Sequence, residues 1–490
     1  MATPLGSKRM SYKTADTARP DGEVMNLEGS SYGSFSYRTY VLGSLTLVYT
    51  FNFIDRILIS VVGVPIINEF QLSQFEFGLL SGIGFALFYT ILGIPIANLS
   101  EKVSRKLIIG VCVILWSLAT VLCGFTVGFV TLLLARMLVG IGEAGCTPPA
   151  NSMISDYYAP SARPTALGIY AMGVTAGGVL AQVFGGFILE VFTWREAFIF
   201  VGAPGILVGI IFLLTVKEPP RGYSDPPGTP KVERVSFPDA LKEIFSKRTF
   251  WVMTAGATLA AFAGYALVGL QPQHVVFSHG FTPSQTALMF MAPVGLAGTL
   301  GAFLGGYLTQ QASRKSATAA TWVPGLAFLV CAPLYAAAFL VGDSTVMLIL
   351  LMVASVLQYF YLGAQYNIAQ AVVSLRVRAT SIAILLFVVN LIGYGIGPPA
   401  LGLVADAVTT NWIAASPVAG QISATCSVTD ASLSPALIEA CRDARAYGVQ
   451  WASVAATCLF AVAGLFFLLA GRTFLRDLFI NQKTPAAAAA

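Results

Sequence analysis

Apolar residues run along this chain in long uninterrupted blocks, separated by short stretches of glycine, proline and charge. Twelve such blocks begin near Tyr40, Ser73, Lys106, Phe129, Thr165, Trp194, Arg248, Ser284, Ser316, Thr345, Thr380 and Ala446. A hydrocarbon core about 30 Å thick needs about 20 apolar residues per crossing helix, so each block predicts one membrane-crossing helix. The blocks are continuous rather than alternating in ~10-residue segments, which excludes a transmembrane β-barrel. Backbone hydrogen bonds facing lipid must then close within helices, and the fold class is an all-α membrane protein.

Composition agrees. Of 490 residues, 56% are hydrophobic and 10% charged, with a mean hydropathy of +0.76. A soluble domain carries roughly a quarter charged residues, so a soluble enzyme is excluded. The net charge of +5 does not point to nucleic acid, because the basic residues sit in the short segments between apolar blocks. Positive segments stay cytoplasmic. With the N-terminus inside, 23 of the 28 Lys and Arg fall in cytoplasmic segments. Arg195, Arg442 and Arg445 fall outside, and Arg56 and Arg136 lie in the membrane. The expectation is a multi-pass protein of the plasma membrane, a bacterial inner membrane, with both termini cytoplasmic. The Pro-rich, charged segment containing KEPPRGYSDPPGTPKVER divides six spans from six. This gives a flexible N-tail (1–36), a first bundle (37–216), a linker (217–247), a second bundle (248–473) and a C-tail (474–490).

The two halves repeat. Residues Ala97–Lys106, after span 2, match Gly306–Lys315, after span 8, with Leu, Ser, Arg and Lys identical at an offset of 209. RPTALGIY from Arg163 resembles RATSIAIL from Arg378 at an offset of 215. Equal topology in both halves implies a pseudo-twofold axis along the membrane normal, with a site between the halves near the midplane.

ANLSEKVSRK resembles the loop 2–3 signature of the major facilitator superfamily, G-x-L-A-D-R-x-G-R-R/K, and RMLVGIGEAG resembles that family's span-4 motif. WREAF at Trp194 and EPPR at Glu218 are also similar to it. NFIDR from Asn52, together with GIGEAG, resembles the Spinster branch, whose eukaryotic members move lysophospholipids or sphingosine-1-phosphate. The resemblance implies twelve helices in two six-helix pseudo-symmetric halves, and a gate at the cytoplasmic loops formed by Glu101, Lys102, Arg105, Lys106, Arg314 and Lys315. Ala97, Glu101, Lys102 and Ser104 depart from the signature, so Glu101 stands where the family's latching Asp would. The span-5 antiporter Gly-Pro is missing, which leaves symport, antiport and uniport open.

Asp55, Arg56, Arg136 and Glu143 lie deep in the spans. A central Asp, Lys or Arg costs roughly 2.5–3.5 kcal/mol to insert, so four uncompensated charges would cost about 10 kcal/mol, and pairing in a polar cavity is required. Arg136 and Glu143 are two helical turns apart and share a face. The geometry allows Asp55 to pair with Arg136, and Arg56 with Glu143. A carboxylate whose cation moves away during rocking can take up a proton, which makes Glu143 and Asp55 the proton-coupling candidates; a static ion-pair lock is the bland alternative. The planar forks of Arg56 and Arg136 suit an anionic head group. In the second half, Gln358, Tyr361 and Gln365 recur at helical spacing in span 10, as do Asn390 and Tyr394 in span 11, and these are the opposing binding candidates. Gly140, Gly142 and Gly145 formally match a dinucleotide fingerprint, but inside a membrane span they read as close helix packing.

His274 and His279 lie at the outer end of span 7, where a surface position is expected and a proton role is the alternative. Cys426 and Cys441 face the oxidising side and form a candidate disulfide. No metal-ligand spacing or nucleotide loop is present, so no metal or cofactor is expected. The expected partners are a small amphiphilic or lipid anion, protons and membrane lipids, with the chain a monomer. A carrier of small organic anions or drugs is the nearest rival. A channel would favour symmetric rings of charge, and a membrane-embedded enzyme would need a nucleophile and base or a metal cluster.

Overall fold

A computed structural model describes residues 31–160, 162–224, 236–374, 376–428 and 432–479. The first half contains spans 1 to 6: Phe35–Val61, Gln74–Gly93, Arg105–Cys123, Phe129–Tyr157, Thr165–Val191 and Trp194–Thr215. The second contains spans 7 to 12: Arg248–His279, Pro283–Ser313, Ala319–Leu340, Ser344–Ala371, Thr380–Ala414 and Pro435–Asp477. Each half has its own apolar core. All twelve expected spans are present, and eleven start within about five residues of the expected position. Span 12 starts eleven residues earlier than Ala446, because its first turns carry Glu439, Arg442, Asp443 and Arg445 and are hidden from hydropathy.

Local chemistry sets the ends. Ser73 with Glu76, Thr193 with Glu196 and Thr282 with Gln285 form capping boxes at the starts of spans 2, 6 and 8, each satisfying backbone donors that a helix start leaves bare. Gly280, at φ 73°, ends span 7 in the left-handed conformation that glycine adopts most cheaply. Two segments outside the spans also pack on the halves. Tyr32 N donates to Tyr157 O at 3.1 Å, so the segment just before span 1 is docked on the first half; residues 1–30 lie outside the described ones. The linker contains a helix, Phe237–Phe245, whose Ala240 and Ile244 join the second-half core.

Several spans are interrupted. Span 4 breaks between Glu143 and Thr147, and span 10 at Tyr359 and Phe360. Spans 8 and 11 carry single π-turns at Thr286–Met291 and Val389–Tyr394, a feature that often marks functional positions.

The halves meet closely at the end of the bundle away from the termini, here called the far end. A Cβ on Gly78 would lie 2.5 Å from Pro399 Cα, and one on Gly186 2.9 Å from Leu288 Cγ. The hydrogen bonds that cross between the halves among the described residues all lie there: Asp406 with Gln74 and Phe75, Gln273 with Gln74, and Glu190 with Ser284. At the tail end, where Ser31, Phe479 and the helix Phe237–Phe245 lie, no hydrogen bond or ion pair between two described residues joins the halves.

Candidate functional site

Span 1 presents Asp55 and Arg56, and spans 3 and 4 supply their partners. Arg56 Nε donates to Glu143 Oε2 at 2.7 Å, and Arg136 Nη1 lies 3.7 Å from Asp55 Oδ1. Thr120 of span 3 donates its hydroxyl to Asp55 Oδ2. The four charges therefore form the two crossed pairs that the sequence allowed. Glycines make this approach possible: a Cβ on Gly140 would lie 2.6 Å from Phe85 O, and one on Gly142 2.7 Å from Trp116 Cβ. The glycine run thus presses span 4 against spans 2 and 3 and delivers Glu143 to span 1.

The pairs are not equally accessible. Asp55, Arg136 and Glu143 are at most 2% exposed, whereas the Arg56 side chain keeps 10% of its surface. The guanidinium of Arg56 is walled by the rings of Tyr89, Phe85 and Phe53 at 4.3, 4.8 and 5.0 Å, contacts that attract a cation to the ring faces. From the other half, Tyr394 reaches within 5.6 Å of Phe85 and stacks on Tyr265 of span 7 at 4.2 Å. Arg56 thus sits at the seam between the halves. Glu143 Oε1, all three Arg136 nitrogens and both amide atoms of Asn52 are buried with no hydrogen bond among the described residues. Buried charges so sparsely bonded are costly, and such a cluster has spare capacity for a proton or an anion.

The second-half candidates divide. Asn390 and Tyr394 share the π-turn of span 11, and Tyr394 faces the charged cluster as described. Gln358 accepts from the Tyr335 hydroxyl at 2.6 Å, and Tyr361 packs on Phe328 and Phe467 inside the second-half core. Gln365 is buried, with its Oε1 unbonded among the described residues. The helix of span 10 breaks between Gln358 and Tyr361, which interrupts the regular stripe, and the contacts of both side chains given above lie within their own half. Thr120, Tyr89 and Tyr265 were not singled out from sequence, because a lone Thr or Tyr in an apolar block looks like any core residue.

The loop signatures also divide. Arg105 is buried and donates to Asp156 at 2.5 Å, Glu218 at 2.7 Å, Ser152 at 2.8 Å and the Pro219 carbonyl at 2.9 Å. Lys106 contributes its backbone N–H to Glu218. Burial raises the Glu218 carboxyl, but the hydrogen bonds from Lys106, Arg105 and Ser104 outweigh it and hold that carboxyl below its ordinary value. Glu101, Lys102, Arg314 and Lys315 are exposed at the tail end. The repeat itself is visible in the coordinates: Arg163 Nε donates to Ser155 O at 2.8 Å and Arg378 Nε to Gln370 O at 3.2 Å, each reaching eight residues back.

At the far end, Cys426 and Cys441 are joined by a disulfide, with Cα atoms 6.0 Å apart. His279 is half-buried, but His274 is 1% exposed, contrary to its expected surface position, and packs edge-on against Phe339. Arg445, expected in an outer loop, is 2% exposed within span 12.

The Major Facilitator Superfamily description matches residues 45–398. A bacterial homolog of the human lysosomal transporter Spinster, solved in an inward-facing and unoccupied conformation, is 42% identical with a TM-score of 0.82, covering 91% of this chain and all of that one. An MFS-type efflux pump of Mycolicibacterium smegmatis is 27% identical over 76% of this chain and 85% of its own length. The sphingosine-1-phosphate transporter SPNS2 of Danio rerio is 24% identical over 76% of each chain. With twelve spans, two repeated halves and a charged cluster at their seam, the chain is a transporter that belongs to the major facilitator superfamily, on its Spinster branch.

Proposed function

We propose that this protein is a secondary active transporter that moves an amphiphilic anion, of the lysophospholipid or sphingosine-phosphate kind, by rocking its two halves about the seam at Arg56, with protons as the coupling ion. Both termini lie in the cytoplasm, as the placement of Lys and Arg supports, so the arrangement closed at the far end opens inward. One observation carries the reading: of the four charges in the central cluster, Arg56 alone keeps an accessible edge, and its partner Glu143 has a bare second oxygen. A proton on Glu143 cancels its charge and frees the Arg56 fork for a phosphate or carboxylate. Loss of that proton restores the pair and expels the anion. Asp55 holds Arg136 in place behind them and offers a second protonation site. The rings of Tyr89, Phe85, Tyr265 and Tyr394 supply an apolar surface next to the head-group site. The likeness to a sphingosine-1-phosphate transporter supports lipid cargo.

The test is uptake into proteoliposomes with and without a pH gradient, using a lysolipid panel. Wild type is expected to accumulate cargo along the gradient, and Glu143→Gln to keep binding while losing the pH dependence. Full pH-dependent transport by Glu143→Gln removes Glu143 from coupling. The likeness to an efflux pump favours a second reading, a small organic anion or drug. Thermal stabilisation by small acids alone, and by no lysolipid, decides for it.

A further inference from the structure

The far end of the bundle contains a second charge arrangement that the central site does not use. Asp406 of span 11 accepts the backbone N–H groups of Gln74 and Phe75 through its two oxygens, at 2.8 and 2.9 Å. It thereby caps span 2 from the opposite half. Ser73 and Glu76 serve the neighbouring donors from within span 2, so Asp406 supplies what the local sequence lacks. The backbones must be bare to come this close: a Cβ on Gly402, one turn before Asp406, would run into the Gln74 carbonyl.

Arg445 of span 12 is 2% exposed, and all three of its nitrogens are without a hydrogen bond among the described residues. A buried guanidinium with no hydrogen bond is among the costliest features a fold can carry. The carboxylate of Asp406 acts on Arg445 through charge alone, with no hydrogen bond between them. Spans 11 and 12 are tightly joined there, since a Cβ on Gly448 would lie 2.7 Å from Ala405 O. Asp406 and Arg445 belong to one half and stay together when the halves rock, whereas Asp406 and span 2 belong to different halves and must part.

We propose that Asp406 is a two-position latch, bound to the first turn of span 2 when the far end is closed and to Arg445 when it is open. A helix start attracts a carboxylate through its bare donors and dipole, and a guanidinium does so through charge-assisted bonds. Opening then exchanges one partner for another instead of stranding the carboxylate. The cost of leaving Arg445 unpaired falls on the closed state and keeps the two states close in free energy.

The latch is independent of the cargo and coupling ion but rests on alternating access. The test is pulsed electron paramagnetic resonance on the full chain in liposomes, with spin labels at Val127→Cys and Asn411→Cys, both exposed at the far end, and with Cys112 and Cys458 changed to Ser. Wild type is expected to show a short and a long distance. Arg445→Leu should cut the long-distance population at least fivefold, as should Arg445→Gln, which keeps a polar side chain should the leucine fail to fold. Arg445→Lys, which keeps the charge, should restore the long distance. In the Asp406→Asn background, Arg445→Gln should change nothing. An unaltered distribution in Arg445→Gln, or the same loss on top of Asp406→Asn, overturns the latch alone. A single short distance in wild type under every condition overturns the latch and alternating access together.

Discussion

The two halves share a topology and a pair of loop signatures, yet handle charge differently at their centres. The first buries Asp55, Arg56, Arg136 and Glu143 at its centre and Arg105 at its tail end. At comparable depth the second has Gln358, Gln365, Asn390 and Tyr394, and its counterpart of Arg105, Arg314, is exposed. A duplicated fold thus keeps its backbone plan, down to the arginines that each reach eight residues back, while specialising its interior. One half carries charge at its centre, and the other carries neutral and aromatic side chains.

Breaking the central pairs tests the contrast most severely. Arg136→Leu leaves Asp55 buried and unpaired, and removing one partner of a buried ion pair costs about 3–5 kcal/mol. The expected result is a fall in thermal midpoint of several degrees in detergent, with much of it recovered by the double change Asp55→Asn, Arg136→Leu. A double variant no more stable than the single one means that the two side chains are not coupled. Next comes the repeat itself. Arg105→Ala removes donors to two carboxylates and should cost about 3 kcal/mol, a typical value for a buried charge-assisted network, whereas Arg314→Ala should stay within about 0.5 kcal/mol, as exposed substitutions do. Equal effects would mean that the halves anchor their loops alike after all. Smaller still is Gln358→Leu, which strands the buried Tyr335 hydroxyl and should cost about 1–3 kcal/mol while leaving cargo affinity unchanged. A tenfold loss of affinity in that variant would return span 10 to the binding wall.

Much of this was readable in the chain before any coordinates. Membrane insertion cost singles out the four deep charges, and helical spacing puts Arg136 and Glu143 on one face, which allows the crossed pairing that the structure has. Hydropathy places eleven span starts closely because lipid imposes that pattern directly. It misses the start of span 12, where a helix continues beyond the apolar block. Spacing does not carry through span 10, since periodicity assumes an unbroken helix and the break at Tyr359 and Phe360 packs Tyr361 on its own core. Tyr89 and Tyr265 were illegible for another reason: what distinguishes them is proximity to Arg56 or Tyr394 across the fold, which no local pattern encodes.

The gentlest test sets the two ends of the first half against each other through pH. Glu218 at the tail end and Glu69 at the far end both titrate below the ordinary value of 4.5. For Glu69 the hydrogen bond from Arg195 is the leading cause. For Glu218 burial pushes upward, but the bonds from Lys106, Arg105 and Ser104 prevail. A carboxyl that binds its proton more weakly when folded than when unfolded adds stability at every pH above its unfolded value, and that contribution disappears as pH falls through the folded value. Wild type should therefore lose thermal midpoint progressively below about pH 5, the upper edge of the carboxylate range. Glu218→Gln should be less stable at pH 7 and show a shallower decline between pH 5 and 3, converging on wild type at the acid end. Glu69→Gln should do the same by a separate amount, so that the double variant is flatter than either. If Glu218→Gln keeps the full wild-type slope, the tail-end clasp does not hold its carboxylate in solution, and Arg105 is anchored by Asp156, Ser152 and the Pro219 carbonyl.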